Sequence, residues 1–241
     1  MDYFYEQLKK RVFDLWKVEG LLSEKIQIRA RALSTKEAIG NPEHQDFPIQ
    51  KGKEKLMQAT FMGVGGQAFT DMYGDYEGTL EEVLNLPMEN NHQRAVFVAS
   101  LNAALRHLGR IEGSIHCRDE EPVACGKSLV PYLKDHYSGA RIAQVGFQPR
   151  MVENLAPAHP LRVLDMDLDN IGARKFGVTI EHPDNTADAV DWSDLLLVTG
   201  TTLANGTIIP LLNKKPIIFY GTTVAGVAHL MGWERFCPCS H

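Results

Sequence analysis

Cysteine is scarce: four thiols in 241 residues, at positions 117, 125, 237 and 239. So small a set excludes a disulfide-held scaffold and, in a reducing compartment, leaves the thiols free for metal or redox chemistry. An excess of positive charge is also missing. With 25 Lys and Arg against 30 Asp and Glu, the net charge of −5 offers no field for holding nucleic acid or an anionic membrane surface. No apolar run approaches 18 residues, and MDYFYEQLKKRVFDLWKVEG lacks the uninterrupted apolar core of a signal peptide. The expectation is a cytoplasmic protein with a small-molecule ligand, no nucleic-acid or membrane partner, and room for a homo-oligomer. Repeats and low-complexity tracts are absent as well.

What is present is 44% hydrophobic sequence, enough to bury a large core in one or two domains. Residues Phe4, Leu8, Val12 and Leu15 recur at helical spacing. In KIQIRARAL the period changes to two, a half-exposed strand. LMQATFMGV reads as a second strand and GGQAFTDMYGDYEG as a glycine-rich turn. Thr79 with Glu82 forms a capping box that starts a helix. NNHQRAVFVASLNAALRHLG is a long helix closed by Gly109. Beyond Lys127, strand and helix alternate: helix SLVPYLKDHY, strand ARIAQVGF, helix PRMVENLA, strand LRVLDMD, a short strand near GVTI, helix NTADAVDW, strand DLLLVTG, helix NGTIIPLL, strand PIIFYG and helix TVAGVAHLMG. The expected fold class is α/β, with an N-terminal α+β domain over 1–112, a junction over 113–126 and a Rossmann-like parallel-sheet domain over 127–241.

In an open parallel sheet, ligands bind outside the carboxyl ends of the strands. Those ends read Gly146-Phe147-Gln148-Pro149, Asp165, Gly200-Thr201-Thr202 with Asn205-Gly206-Thr207 opening the next helix, and Gly221-Thr222-Thr223. Glycines permit close approach, and hydroxyls and helix N-termini suit an anion. Asp165, nineteen residues after Gly146, stands where dinucleotide folds place a ribose-binding carboxylate, but G-x-G-x-x-G is missing its later glycines. Asp165, Asp167 and Asp169 offer a metal or ribose surface, or simply a solvated strand end. Cys125-Gly126-Lys127-Ser128 resembles the tail of a phosphate loop but has Glu121 where the loop needs glycine. Cys117 and Cys125 lack zinc-knuckle spacing, and His116 points away from Cys117 in an extended segment. A soft-metal site built on His116, Cys117 or Cys125 is completed by Cys237, Cys239 or His241 of the CPCSH tail; alternatively the mid-chain thiols are buried small hydrophobes.

The runs GVGGQAFTDMYGDYEGTLEEVL, RAVFVASLNAAL, IHCRDEEPVACG, VGFQPRMVENL, LRVLDMDLDNIG, WSDLLLVTGTTLANGTI and IIFYGTTVAGVAHLMGWERFCP cover nearly the whole chain. Together they resemble the heavy-metal chelation family of unknown-function proteins, whose members join an enolase N-terminal-like domain to a Rossmann-like domain. The resemblance implies an interdomain cleft lined by Thr70, Asp71, Gly78, Thr79 and Asn102 from the first domain and Gly146, Asp165, Thr199, Gly200, Thr201, Asn205 and Gly221 from the second. It also implies handling of a transition or heavy metal, without naming a reaction.

Three function classes follow. The first is a protein that binds a small anionic metabolite or cofactor in the cleft, with Gly146, Asp165, Thr201, Asn205 and Thr222 as contacts and Cys or His holding a soft metal. The second is a nucleotide- or S-adenosyl-type enzyme in which Asp165 grips a ribose and Asp71, Glu77 or His116 moves a proton. The third is a carrier or metallochaperone without turnover.

Overall fold

The computed structural model describes residues 3–22 and 28–241. Helix α1 (Tyr3–Val18) buries Tyr5, Leu8, Val12 and Trp16, so the inward stripe is the expected one rotated slightly to take in the tryptophan. Strand β1 (Ile28–Ala32) falls inside the predicted KIQIRARAL strand; positions 25 to 27 of that prediction lie outside the described residues. Helix α2 (Thr35–Ile39) is opened by a Ser34/Glu37 capping box. Strands β2 (Lys55–Phe61), β3 (Val64–Thr70) and β4 (Tyr76–Gly78) complete an antiparallel sheet in the order β3-β2-β1-β4.

Two expectations are corrected in this sheet. LMQATFMGV is not one strand. Met62 and Gly63, both at positive φ (48° and 80°), make the two-residue reversal that favours left-handed residues, and the chain returns as β3. The predicted glycine-rich turn over 65 to 78 is therefore mostly strand. Its glycines answer to packing: a Cβ on Gly66 would stand 2.1 Å from the Ala103 nitrogen and 2.6 Å from the Ala99 carbonyl oxygen of the helix laid across the sheet.

That helix is α4 (Asn91–His107), which follows α3 (Leu80–Leu84) and its Thr79/Glu82 capping box. Asn90 caps α4 by accepting from the Gln93 N–H. Every residue from Ala95 to Leu105 is buried, which explains why RAVFVASLNAAL is apolar nearly all round. One side of α4 covers β2 and β3; the other meets two helices of the second sheet, so a single hydrophobic core runs from Leu8 and Met57 through Val96 and Leu101 to Val198 and Val227.

The second sheet is entered through α5 (Glu121–His136), which begins seven residues earlier than SLVPYLKDHY predicts. Glu121 and Pro122 are good first-turn residues, the one for charge and the other for its preset φ. The last six residues of the predicted junction are thus helical, and Gly126 is needed there because a Cβ would lie 2.6 Å from the Arg150 carbonyl oxygen of α6. The remaining elements are β5 (Ile142–Val145), α6 (Pro149–Leu155), β6 (Leu161–Leu164), β7 (Arg174–Lys175), β8 (Val178–Glu181), α7 (Thr186–Trp192), β9 (Leu195–Thr199), α8 (Thr201–Asn205), β10 (Ile217–Tyr220), α9 (Ala225–Met231) and β11 (Arg235–Phe236). The sheet order is β11-β10-β9-β5-β6-β8-β7, parallel except for β7. The chain starts at β5 and moves outward first on one side and then on the other, which places the topological switch between β5 and β9.

The predicted helix NGTIIPLL is corrected to a single tight turn over Ile209–Leu211. Asn205-Gly206 closes α8 instead of opening a helix: Gly206, at φ 79°, is its left-handed C-cap. Among the described residues no helix is long and apolar enough to cross a membrane.

Candidate functional site

At the switch point the loops are shut against each other. A Cβ on Gly146 would meet Thr199 Cγ2 at 2.7 Å and the Tyr220 hydroxyl at 2.9 Å, and Tyr220 Oη donates to the Gly146 carbonyl at 2.7 Å. Gln144 Nε2 donates to the same carbonyl at 2.9 Å. Gly200 packs in the same way on the Val224 nitrogen at 2.7 Å. Both glycines therefore serve close loop-to-loop packing. Gly221 differs: at φ 90° it has nothing within 4 Å of its would-be Cβ. The neighbouring Thr222 is fully buried and its hydroxyl has no partner among the described residues.

The residues implied for the first half divide the same way. Asn102 is wholly buried: its Nδ2 donates to the carbonyls of Gln67 (2.9 Å), Thr222 (3.1 Å) and Thr223 (3.2 Å), while its Oδ1 accepts from the Gly226 N–H at 2.7 Å. It staples β3 to the loop before α9 and to the first turn of that helix. Thr70 is buried and exchanges bonds with the Met72 backbone. Thr79 is spent on its capping box, and Gly78 avoids a clash with Glu82 Oε2, 2.8 Å from its would-be Cβ. Thr201 and Thr199 bond to each other at 3.3 Å, and Asn205 Oδ1 accepts from Thr207 Oγ1 at 2.7 Å.

Carboxylates gather at this edge. Asp165 Oδ2 accepts from the Phe147 N–H at 2.6 Å and its Oδ1 from the Asp167 N–H at 2.7 Å, so it organises the two loops at the ends of β5 and β6. Asp167 and Asp169 are paired with Lys53, and Lys51 Nζ donates to Asn170 Oδ1 at 3.0 Å. These contacts bring the segment before β2 against the acidic strand end, which is therefore ion-paired and not simply solvated. Asp71 accepts from Asn91 Nδ2 at 2.6 Å; Asn91 in turn accepts from Arg94, whose Nε donates to the Ala204 carbonyl at 3.0 Å.

Glu54 completes the group and was not singled out by any sequence motif. Lys55 pairs with Thr70, so the next residues outward, Glu54 and Asp71, close the open end of the β2–β3 hairpin together. Burial pushes the Glu54 carboxyl up to about 7, with help from the charges of Asp165, Asp71 and Asp167. It has no hydrogen-bond or ion-pair partner among the described residues.

The cysteines meet elsewhere. The CPCSH tail is an ordered part of the structure: the N–H of Ile115 donates to the His241 carbonyl at 2.7 Å and the N–H of His241 donates to the Ile115 carbonyl at 2.9 Å. His241 Nε2 also lies 2.9 Å from Glu121 Oε1, and Arg235 Nη2 donates to Ser240 Oγ at 3.1 Å. A groove of about 560 Å³ lined by Arg106, Gly113, Ser240 and His241, among others, runs beside it. This docking places Cys239 against the apolar cluster that holds Cys125. The Cys125 thiol donates to the Cys239 sulfur and accepts from the Cys239 backbone N–H. Cys117 is buried nearby, and burial, reinforced by the other thiols, raises both mid-chain thiols far above their ordinary range. His116 lies edge-on to Phe69, its ring 5.2 Å away, and turns its Nδ1 to the Cys117 carbonyl; burial lowers it to about 4 and keeps it neutral. Among the described residues no group of three or more His, Cys, Asp or Glu side chains is placed to hold a metal ion. His116, Cys117, Cys125, Cys237 and Cys239 thus share a region without forming one preorganised centre.

A mixed α/β chain with a largely parallel sheet, an acidic strand-end site and a separate thiol patch defines the class. Residues 131–231 match the family DUF364, described as "Putative heavy-metal chelation". The fold resembles two solved structures of proteins of unknown function from that family. One is from Desulfitobacterium hafniense DCB-2, 12% identical, covering 74% of this chain and 73% of that one with a TM-score of 0.51. The other is from Pyrococcus horikoshii, 17% identical, covering 90% and 79% with a TM-score of 0.53. No curated protein matches the chain. The matched span contains no cysteine, so all four thiols lie outside it.

Proposed function

We propose that the chain binds a small molecule between the ends of β5 and β6 and the open end of the β2–β3 hairpin, and that Glu54 recognises it. The observation that carries this reading is a half-buried, unpaired carboxyl beside Asp71, Asp165 and Asp167. A carboxyl poised near neutrality both donates and accepts, and its desolvation has no compensating partner among the described residues. The glycine and threonine loops suggest an anion from sequence; the four carboxylates turn the preference toward a ligand that presents N–H groups or positive charge. S-adenosyl, nucleoside or pterin compounds fit that chemistry better than free phosphates do.

Support for the finer fold reading lies in the two sheets. The antiparallel sheet with α3 and α4 suits an enolase N-terminal-like unit over 1–112, and the outward winding from β5 suits a Rossmann-like unit over 127–241, joined through 113–126. Metal handling, which the family description raises, has its soft donors outside the matched span and is treated separately below.

The test is a thermal-shift panel of S-adenosylmethionine, S-adenosylhomocysteine, adenosine, a reduced pterin and ATP on the wild type and Glu54→Gln. Saturating a genuine site at about 100 times Kd adds about 2.7 kcal/mol of stability. The expected outcome is stabilisation by a non-phosphorylated member that Glu54→Gln abolishes. Silence from the whole panel, or ATP as the strongest ligand, sinks the proposal. Turnover of the bound compound separates an enzyme from a carrier.

A further inference from the structure

We propose that Cys125 and Cys239 form a two-coordinate thiolate site for a soft cation of the cuprous, silver or mercuric class, with the C-terminal tail supplying one of its two arms. Three features of the structure converge on this pair. The two thiols lie in one apolar cluster, Cys239 packed against the group that holds Cys125, and interact there across 114 positions of sequence. The contact is held from both sides, by the Ile115–His241 backbone pair on the junction and by the Arg235–Ser240 bond at the tail, so Cys239 is positioned rather than merely nearby. The surroundings are largely apolar: Cys125 is 5% exposed in a cluster with Leu129, Leu133 and Phe236.

Donor number decides the class of ion. Zinc asks for a tetrahedral set of nitrogen, oxygen or sulfur ligands, and no group of three candidate donors exists among the described residues. Soft ions accept two thiolates in a line, so a buried sulfur pair is complete for them as it stands. Binding breaks two S–H bonds and forms two metal–sulfur bonds. Two protons leave for solvent, no electron is transferred, and a monovalent ion leaves the pair with one net negative charge. Cys117 and Cys237 stand close enough to interact electrostatically with the pair and form a reserve outside the linear site. The site does not depend on the strand-end ligand proposed above.

The experiment is an anaerobic titration of the full chain with silver(I), and with cuprous ion against bathocuproine disulfonate, followed by X-ray absorption at the metal edge. The expected result is one ion per chain with two sulfur neighbours. Cys239→Ser should weaken binding about 100-fold or more, while Cys117→Ser and Cys237→Ser change it less than about threefold. Cys239 is partly exposed, so its variant carries the test even where Cys125→Ser perturbs folding. No uptake, equal losses in all four serine variants, or a nitrogen or oxygen neighbour would each overturn the proposal. Glu54→Gln should leave silver uptake unchanged, and Cys239→Ser should leave the thermal-shift panel unchanged, so the two proposals fail separately.

Discussion

Replacing Asn102 by alanine removes the one side chain that bonds four backbone groups from three segments: the Gln67, Thr222 and Thr223 carbonyls and the Gly226 N–H. The Gly226 N–H lies in the first turn of α9, where helix geometry supplies no internal acceptor. Orphaning it in a fully buried setting costs about 1–3 kcal/mol, and the small void adds about 1 more, so the variant should lose roughly 3 kcal/mol. For a chain of this size that lowers Tm by about 6–12 °C. Asn102→Asp sharpens the test. Its shape is preserved, but a carboxylate replaces the amide donors opposite three carbonyl oxygens, so it should be the worse of the two. Urea and thermal unfolding of both variants measure the effect. A loss below about 1 kcal/mol in Asn102→Ala, or an aspartate variant as stable as the alanine one, would refute the staple.

Gly66→Ala should prevent soluble expression or cost more than about 3 kcal/mol, because its Cβ meets helix backbone at 2.1 Å, whereas Gly221→Ala should cost only the roughly 1–2 kcal/mol of its left-handed backbone. Circular dichroism and melting of the pair distinguish the two causes. Glu54 has a folded-state value above its unfolded one, so the native state holds the extra proton between about pH 4.5 and 7 and stability falls as pH rises through that window. Glu54→Gln should flatten this fall, by an amount on the order of 2 kcal/mol at pH 8, in urea titrations; an unchanged slope would show that the carboxyl is not desolvated. Under native conditions a thiol reagent should label Cys237 first, Cys239 more slowly because burial raises its thiol, and Cys117 and Cys125 only on unfolding; peptide mapping that finds Cys117 among the fast sites would contradict its burial.

Much of the second sheet was legible because strands covered on both faces are spelled as apolar runs, as in LLLVT and IIFY, with helices between them. Helix α4 announced its end through Gly109, because caps are local chemistry. The misreadings share a cause too. Gly65 and Gly66 look like a turn, yet Gly66 answers to the backbone of α4, which is remote in sequence. Asn205-Gly206 can open or close a helix, and only the positive φ of Gly206 decides. Gly146 and Asn102 were legible as structurally demanding positions, but the neighbours they serve were not, since a residue consumed by its neighbours and one aimed at a ligand have the same letter. Glu54 carried no signal at all; the hairpin register puts it beside Asp71. The tail could be foreseen as able to reach the junction, but its backbone pairing with Ile115 has no spelling in CPCSH.

Helix α4 gives the two halves a common wall, and a common wall has a consequence for inheritance. Neither half can be cut out without stripping the other: a fragment spanning only 131–231 would keep α8 and α9 but expose the faces that α4 covers. Any gene fusion or truncation that separated them would have to bring a replacement helix of matching profile. The matched family segment is therefore a recognisable part of the chain but not a transplantable one, and melting should take both sheets together in a single transition.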